Sequence, residues 1–313
     1  MPDFTDVDPD HPPHDLKTVL RWALLDRVTG KRRPKPPGPP VPHTPTPLLR
    51  VAEPAPAQVV WLGHASFLIQ LRAGGRGVNV LVDPLLGPYL GTYRRYQKPG
   101  LTVDQLPALD VLLITHGHRD HLDRWTVGRL DRSTSVIVPA GLAAFFTRLG
   151  FTDVTELRWW QASERAGLRF TLTPARHWSR RGLNDLNASL WGGFVIEGGG
   201  PSVYHAGDSA YWQRFREIGE RFPDLDCALL PIGAYDPAWF MEHAHMNPEQ
   251  AGDAFRDLGA RRFVPMHYGT YRLTDEPLLE PVERLRAWWR RESPAGQLAD
   301  LPVGGVLELD GGG

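Results

Sequence analysis

Apolar positions recur along the chain in two rhythms, and each predicts a different element. From residue 15 to 28, Leu16, Val19, Leu20, Ala23 and Leu24 fall at i, i+3, i+4, i+7 and i+8, a spacing that stacks side chains on one helix face. Asp15 stands where an N-cap belongs, Trp22 lies off the stripe centre, and Lys17, Arg21 and Arg27 lie around the other side. The pattern predicts an amphipathic helix docked by its leucine stripe on the main domain. The alternative is an interfacial helix on lipid, which the following Lys31-Arg32-Arg33 favours. Short β-branched and aromatic runs at 59–62, 66–70, 78–82, 111–115, 136–138, 169–173, 194–197, 202–205, 227–230 and 262–266 predict strands. The clearest helix covers 248–258. Asn247 caps it, Pro248 opens it and Gln250 completes a capping box; Ala251, Ala254, Phe255 and Leu258 form its apolar stripe, and Gly259 ends it. Strands mixed with helices, with turn signals between them, predict an α/β class of layered sheets.

Residues 34–47 interrupt the rhythm with eight prolines. Such a stretch predicts an extended, semi-rigid connector with no packed structure of its own. Three parts follow: an N-terminal segment at 1–33, the connector at 34–54, and a main domain at 55–313. The 313 residues carry 35 Lys plus Arg against 36 Asp plus Glu, a net charge of −1. That balance argues against a dedicated nucleic-acid binder. The single cysteine, Cys227, excludes an intramolecular disulfide and a Cys-rich zinc site, and its apolar neighbours place it in the core. No apolar run approaches a membrane span, and the acidic opening lacks a secretion signal, so a cytoplasmic chain is expected.

The chemistry concentrates in His116-Gly117-His118-Arg119-Asp120-His121, which follows the apolar run Val111-Leu112-Leu113-Ile114-Thr115. Imidazole and carboxylate without thiolate suit zinc, iron, manganese or nickel. His116 and His118 alternate, so both can reach one ion, while Asp120 and His121 can turn toward a second. His177, Asp208 and His267 each follow the end of another predicted strand, where layered α/β folds carry their sites.

These residues resemble the metallo-β-lactamase superfamily. Finer motifs resemble the branch of N-acylphosphatidylethanolamine-hydrolysing phospholipase D and its bacterial relatives: Trp61-Leu62-Gly63-His64-Ala65, Asp83-Pro84, His177-Trp178-Ser179-Arg180-Arg181, Ala206-Gly207-Asp208, Asn247-Pro248-Glu249 and His267-Tyr268-Gly269-Thr270. The likeness covers nearly the whole chain except the connector and the C-terminal tail. It implies a four-layer αβ/βα sandwich with two divalent ions, zinc first, with iron or manganese as alternatives. Carried over by position, His116, His118 and His177 bind one ion. Asp120, His121 and His267 bind the second, and Asp208 bridges both. A hydroxide held between the ions acts as nucleophile, and Asp120 orients it. His64 and Asp83 support the ligands, and His245 binds substrate or protonates the leaving group. Arg119, Arg124, Arg180 and Arg181, beside the ligand segments in sequence, favour an anionic substrate, although the animal phospholipases carry tyrosines at the positions of Arg119 and Arg124.

The resemblance thus implies a dinuclear hydrolase of phosphodiesters, with N-acylphosphatidylethanolamine as the specific expectation. Peripheral membrane contact and a homodimer are further implications. The alternative is a lactone or carboxylic-ester hydrolase, and a mononuclear-iron dioxygenase is a third reading. A non-catalytic binding module ranks last, because all seven ligand positions are filled.

Overall fold

The computed structural model describes residues 3–7, 14–31, 34–48, 57–198 and 200–309. The boundary expected between residues 54 and 55 therefore lies outside the described residues, as do Arg32 and Arg33. The strands are β1 (Gln58–Gly63), β2 (Ser66–Ala73), β3 (Arg76–Val82), β4 (Tyr89–Leu90), β5 (Tyr93–Arg94), β6 (Val111–Leu113), β7 (Ser135–Pro139) and β8 (Val154–Leu157). They continue as β9 (Ala162–Arg165), β10 (Leu168–Thr173), β11 (Gly193–Glu197), β12 (Val203–His205), β13 (Cys227–Pro231), β14 (Arg262–Met266), β15 (Gln297–Leu298) and β16 (Val306–Glu308). One seven-stranded sheet has the order β16-β1-β2-β3-β6-β7-β8 and a second has the order β15-β14-β13-β12-β11-β10-β9; β4 and β5 pair apart as a two-stranded ribbon.

Strand alternation sets the layers. Val59, Trp61, Phe67, Ile69, Val80, Val82 and Leu113 of the first sheet join the central core with Phe170, Phe194, Tyr204 and Leu229 of the second. The intervening residues Val60, Leu62, Leu68, Leu81 and Leu112 face the other way, onto Leu122, Val127 and Phe146. This two-residue period buries both faces of the sheet. Helices Arg214–Arg221, Pro248–Leu258 and Glu280–Glu292 cover the second sheet, with Phe215, Ala251, Phe255, Leu258, Leu285 and Trp288 buried. The architecture is the expected four-layer αβ/βα sandwich.

The helix Pro248–Leu258 forms as its sequence dictates. Asn247 Oδ1 accepts from Gln250 N at 2.9 Å, Gln250 Oε1 accepts from Asn247 N at 3.0 Å, and Gly259 ends the helix at φ 64°. Helix Glu280–Glu292 was not anticipated. Its N-cap position is Leu279, which makes no side-chain capping bond, so its start is marked only by Pro281 and by Glu280 and Glu283 in the first turn.

The N-terminal helix departs from its pattern. Asp15 caps it, accepting from Thr18 N at 2.7 Å. Its middle, Arg21–Leu25, is π-helical. The wider turn breaks the 3.6-residue register, so Leu20, Leu24, Leu25 and Val28 are exposed. Trp22, expected off-centre, makes the docking contact instead, stacked on Phe240 at 4.6 Å between centroids. One broad aromatic face outcompetes several small aliphatic contacts.

The proline-rich stretch takes up no regular element but is tied down along its length. Lys35 N donates to Asp275 O, Thr44 N to Val303 O, and Leu278 N to Pro37 O. Val41 is buried against the loop after His267, close enough that a side chain at Gly269 would collide with it. Cys227 is buried in the core.

Candidate metal centre

Strand direction gathers the site. In the first sheet β1, β3 and β6 run the same way, because β2 is antiparallel to both β1 and β3 while β3 and β6 are parallel. Their C-terminal ends present His64, Asp83 and the loop 116–121. In the second sheet β10, β12, β13 and β14 share one direction by the same reasoning. Their ends lead to His177, Asp208 and His267. The seven candidate ligands from His116 to His267 thus meet in one cleft, together with His64 and Asp83.

His116 Nε2 lies 2.9 Å from His118 Nδ1, and His177 Nε2 lies 3.1 Å from the same atom. The Asp208 carboxylate stands at the centre. Its Oδ2 is 3.1 Å from His121 Nε2, 3.2 Å from His267 Nε2, 3.8 Å from His177 Nε2 and 3.9 Å from His116 Nε2. Asp120 Oδ2 is 3.2 Å from His64 Nε2, 3.5 Å from His267 Nε2 and 3.8 Å from His121 Nε2. His245 Nδ1 stands 4.0 Å from Asp208 Oδ2.

The outer nitrogens are fixed by the surrounding structure. His121 Nδ1–H donates to Asp83 Oδ2 at 2.7 Å. Thr115 Oγ1–H donates to the same oxygen at 2.6 Å and accepts from His116 Nδ1 at 3.0 Å, while Thr115 N donates to Asp83 Oδ1 at 2.8 Å. His177 Nδ1 donates to Ala244 O at 3.0 Å. Each bond fixes one ring proton on the outside, so that the inner nitrogen is the one left to offer a lone pair to the centre. Backbone strain concentrates here: His64, Asp83 and His267 sit at φ 55°, 44° and 62°. Such left-handed conformations cost a non-glycine residue about 1–3 kcal/mol each. Before Asp208, Gly207 turns at φ 62°, where a Cβ would lie 2.8 Å from Gly192 O and 2.9 Å from Thr115 Cβ.

Electrostatics divide the imidazoles into two groups. Burial pushes His116 well below its ordinary value, reinforced by the rings of His121, His118 and His177. Burial also pushes His177 well below and His118 to about 4, against the pull of nearby carboxylates. His245 falls to about 4 by burial, and so does His64, with His267 adding to the effect. His267 and His121 go the other way. Burial opposes their charge, but Asp208 and Asp120 carry His267 up to about 9, and Asp208, Asp83 and Asp120 hold His121 well above its ordinary value. Burial would raise Asp208, yet the His121 and His267 rings beside it keep it well below the carboxylate range.

This arrangement fits metal ions. Three nitrogens converging at 2.9–3.1 Å cannot be satisfied by hydrogen bonds among themselves, since each bond needs one proton and one lone pair. The buried atoms His121 Nε2, His267 Nε2 and Asp208 Oδ1 have no hydrogen-bond partner among the described residues. Unpaired buried polar atoms this close together are costly unless a cation lies between them. His64, expected in a supporting role, also groups with Asp120, His121 and His267 as a residue that could hold an ion, its Nε2 3.2 Å from Asp120 Oδ2.

The arginines separate. Arg119 is exposed beside the cleft, with Nη2 on Arg181 O at 3.0 Å. Arg124 is exposed at the start of helix Arg124–Val127. Arg180 turns onto its own loop, donating to Gly182 O and Leu183 O at 2.8 and 2.6 Å. Arg181 donates to Gly117 O and Leu122 O, both at 2.8 Å, bracing the ligand loop from behind. Sequence reasoning gave no role to Thr115 or to the Ala244 carbonyl. A threonine two residues past a strand and a backbone oxygen carry no signal of their own.

Comparison with known proteins accords with this geometry. A family model described as a beta-lactamase superfamily domain matches residues 78–268. The chain is 36% identical over 246 residues to the N-acyl-phosphatidylethanolamine-hydrolyzing phospholipase D 1 of Caenorhabditis elegans, covering 72% of this chain and 68% of that protein. It is 32% identical over 300 residues to a mitochondrial protein of the same name from Saccharomyces cerevisiae, covering 91% of this chain and 59% of that protein. Among solved structures, the metallo hydrolase Igni18 from Ignicoccus hospitalis superposes with a TM-score of 0.62 at 24% identity, covering 82% of this chain and 99% of that one. With the strand ends, the HxHxDH loop and these relatives in agreement, the chain belongs to the metallo-β-lactamase superfamily, in the branch of the N-acylphosphatidylethanolamine-hydrolysing phospholipases D.

Proposed function

We propose that this metal-dependent hydrolase cleaves phosphodiesters at a dinuclear centre, with N-acylphosphatidylethanolamine as its first candidate substrate. The observation that carries the reading is the Asp208 carboxylate standing between two donor sets, within 3.9 Å of four imidazole nitrogens. His116, His118 and His177 would hold one ion, Asp120, His121 and His267 the second, and Asp208 both. When bound, such a pair supplies Lewis acidity and a water activated at neutral pH. Zinc suits these donors, with iron or manganese as alternatives.

The chain's own groups then have separable tasks. Asp83 and Thr115 hold the rings of His121 and His116 in the metal-binding tautomer. Asp120, well below its ordinary value through the surrounding His121, His267 and His64 rings despite its burial, stays ionised as an acceptor that orients the attacking water. His245 is neutral at pH 7, so it serves the substrate as a hydrogen-bonding imidazole rather than as a cation. Arg119 would pair with a phosphodiester at the mouth, a charge-assisted contact. The exposed Leu20, Leu24, Leu25 and Val28 would rest on the lipid that carries the substrate. Withdrawal of Arg180 onto its own loop favours the second reading, a carboxylic ester or lactone at the same centre.

The test uses purified protein of known metal content on N-acylphosphatidylethanolamine in mixed micelles, following phosphatidic acid release. Metal-dependent release is expected. Protein that holds two ions and releases none would overturn the lipid assignment. Arg119→Ala should raise KM for a phosphodiester about 10-fold while leaving a neutral ester nearly unchanged, and equal effects on both would remove Arg119 from phosphate recognition.

A further inference from the structure

The docked N-terminal helix ends in a relay that reaches the metal centre. Trp22 stacks face to face on Phe240, with centroids 4.6 Å apart and planes at 7°. On the same ring, His14 stacks at 4.5 Å, and its Nε2 donates to Phe240 O at 2.7 Å. Phe240 lies in the one-turn helix Ala238–Met241. The next carbonyl, Met241 O, accepts from both Ala244 N and His245 N at 2.9 Å. Ala244 O holds His177 Nδ1, and Met246 N donates to Ser209 O, next to Asp208, at 3.1 Å. The contacts that start at Trp22 thus run through Phe240 and Met241 to the carbonyl that holds His177 and to His245 itself.

The same helix presents an apolar surface that is exposed among the described residues. Leu20, Leu24, Leu25 and Val28 are 47%, 60%, 56% and 86% exposed. Lys17, Arg21, Arg27 and Lys31 are exposed around them, while Asp26 is buried. Apolar side chains ringed by cations match the interface of an anionic phospholipid bilayer, where the aliphatic face enters the acyl boundary and the basic residues meet headgroups. A protein partner would need a shaped acidic counterpart; a bilayer needs only area and charge.

We propose that contact of this helix with an anionic lipid surface is transmitted through Trp22 and Phe240 to His177 and His245, so that the bilayer tightens the metal centre. Trp22 and Phe240 are positioning residues; neither touches the reacting atoms. The inference rests on the dinuclear reading given above, and its test is chosen to survive failure of the substrate assignment.

The experiment measures metal loss from the full-length, metal-loaded protein to a competing chelator, with and without vesicles that contain no N-acylphosphatidylethanolamine. Phosphatidylglycerol vesicles should slow metal loss at least 3-fold, and kcat on a soluble phosphodiester should rise with KM unchanged. Trp22→Ala should lose most of this response, and Trp22→Phe, which keeps an aromatic face for Phe240, should restore it. Equal rates of metal loss with and without vesicles would overturn the proposal, as would a Trp22→Ala protein that responds like wild type. An equal response to phosphatidylcholine vesicles would overturn the anionic assignment. Inactivity on every phosphodiester would defeat the substrate reading and leave the metal-loss result to judge the relay.

Discussion

Asp83 offers the sharpest test of how the centre is built, because it touches the imidazoles from outside. Its side chain is fully buried and accepts three hydrogen bonds at 2.6–2.8 Å, from His121 Nδ1, Thr115 Oγ1 and Thr115 N. Asp83→Asn is nearly isosteric, and asparagine tolerates the φ of 44° at this position, so the backbone is not disturbed. What changes is the acceptor. With the amide oxygen kept on Thr115 N, the new NH2 group faces two donors. A hydrogen bond to a charged group contributes about 1.5–3 kcal/mol. Without it the proton of the neutral His121 ring is no longer held on Nδ1, so that ring can keep it on Nε2, the nitrogen facing Asp208. Outer partners of metal-holding imidazoles are worth about 10–100-fold in affinity, or about 1.4–2.8 kcal/mol. Competitive chelator titration should therefore show one ion per chain weakened by that factor and the other changed far less, with Tm of the metal-free protein recorded alongside. A folded Asp83→Asn protein that binds both ions as tightly as wild type would refute the reasoning.

Other expectations follow from the same geometry. Asp208→Ala removes the carboxylate shared by both donor sets, so metal analysis should find both ions lost and turnover abolished; a variant with two bound ions would end the bridging assignment. Metal uptake should depend on pH differently at the two sets. His267 binds its proton up to about 9 in the metal-free protein, and His121 also titrates well above its ordinary value, so an ion entering there must expel protons. Affinity at that set should fall about tenfold per pH unit for each proton expelled. His116, His118 and His177, already neutral through burial, impose no such competition near neutrality. Dialysis from pH 8 to pH 5 should pass through a species with one ion per chain, and simultaneous loss of both would contradict the assignment. Gly207→Ala forces a side chain into a left-handed turn 2.8 Å from Gly192 O. It should destabilise by at least about 1–3 kcal/mol, read as a lower Tm.

Local signals in the sequence determined much of this protein. The histidine-rich loop after an apolar run, the box-capped helix at 248–258 and the alternation of the central strands are properties of neighbouring residues, and the fold realises them because they need no distant partner. The candidate ligands were legible for the same reason: each ends a strand, and strand ends share one edge of a layered sheet. Other features required distant groups to meet. Arg180 and Arg181 are adjacent and chemically identical, yet one caps its own loop and the other braces the ligand loop, a choice made by which carbonyls the packing brings near. Thr115 gained its role only because β3 and β6 pair in a register that brings Asp83 beside it. The N-terminal helix was visible as a pattern, but its docking face was not. Helical periodicity describes a regular turn, and here a π-helical stretch combined with one ring on another domain element turned Trp22 inward and the leucines out. Periodicity specifies which side chains share a face; only the surface waiting opposite decides which face is buried.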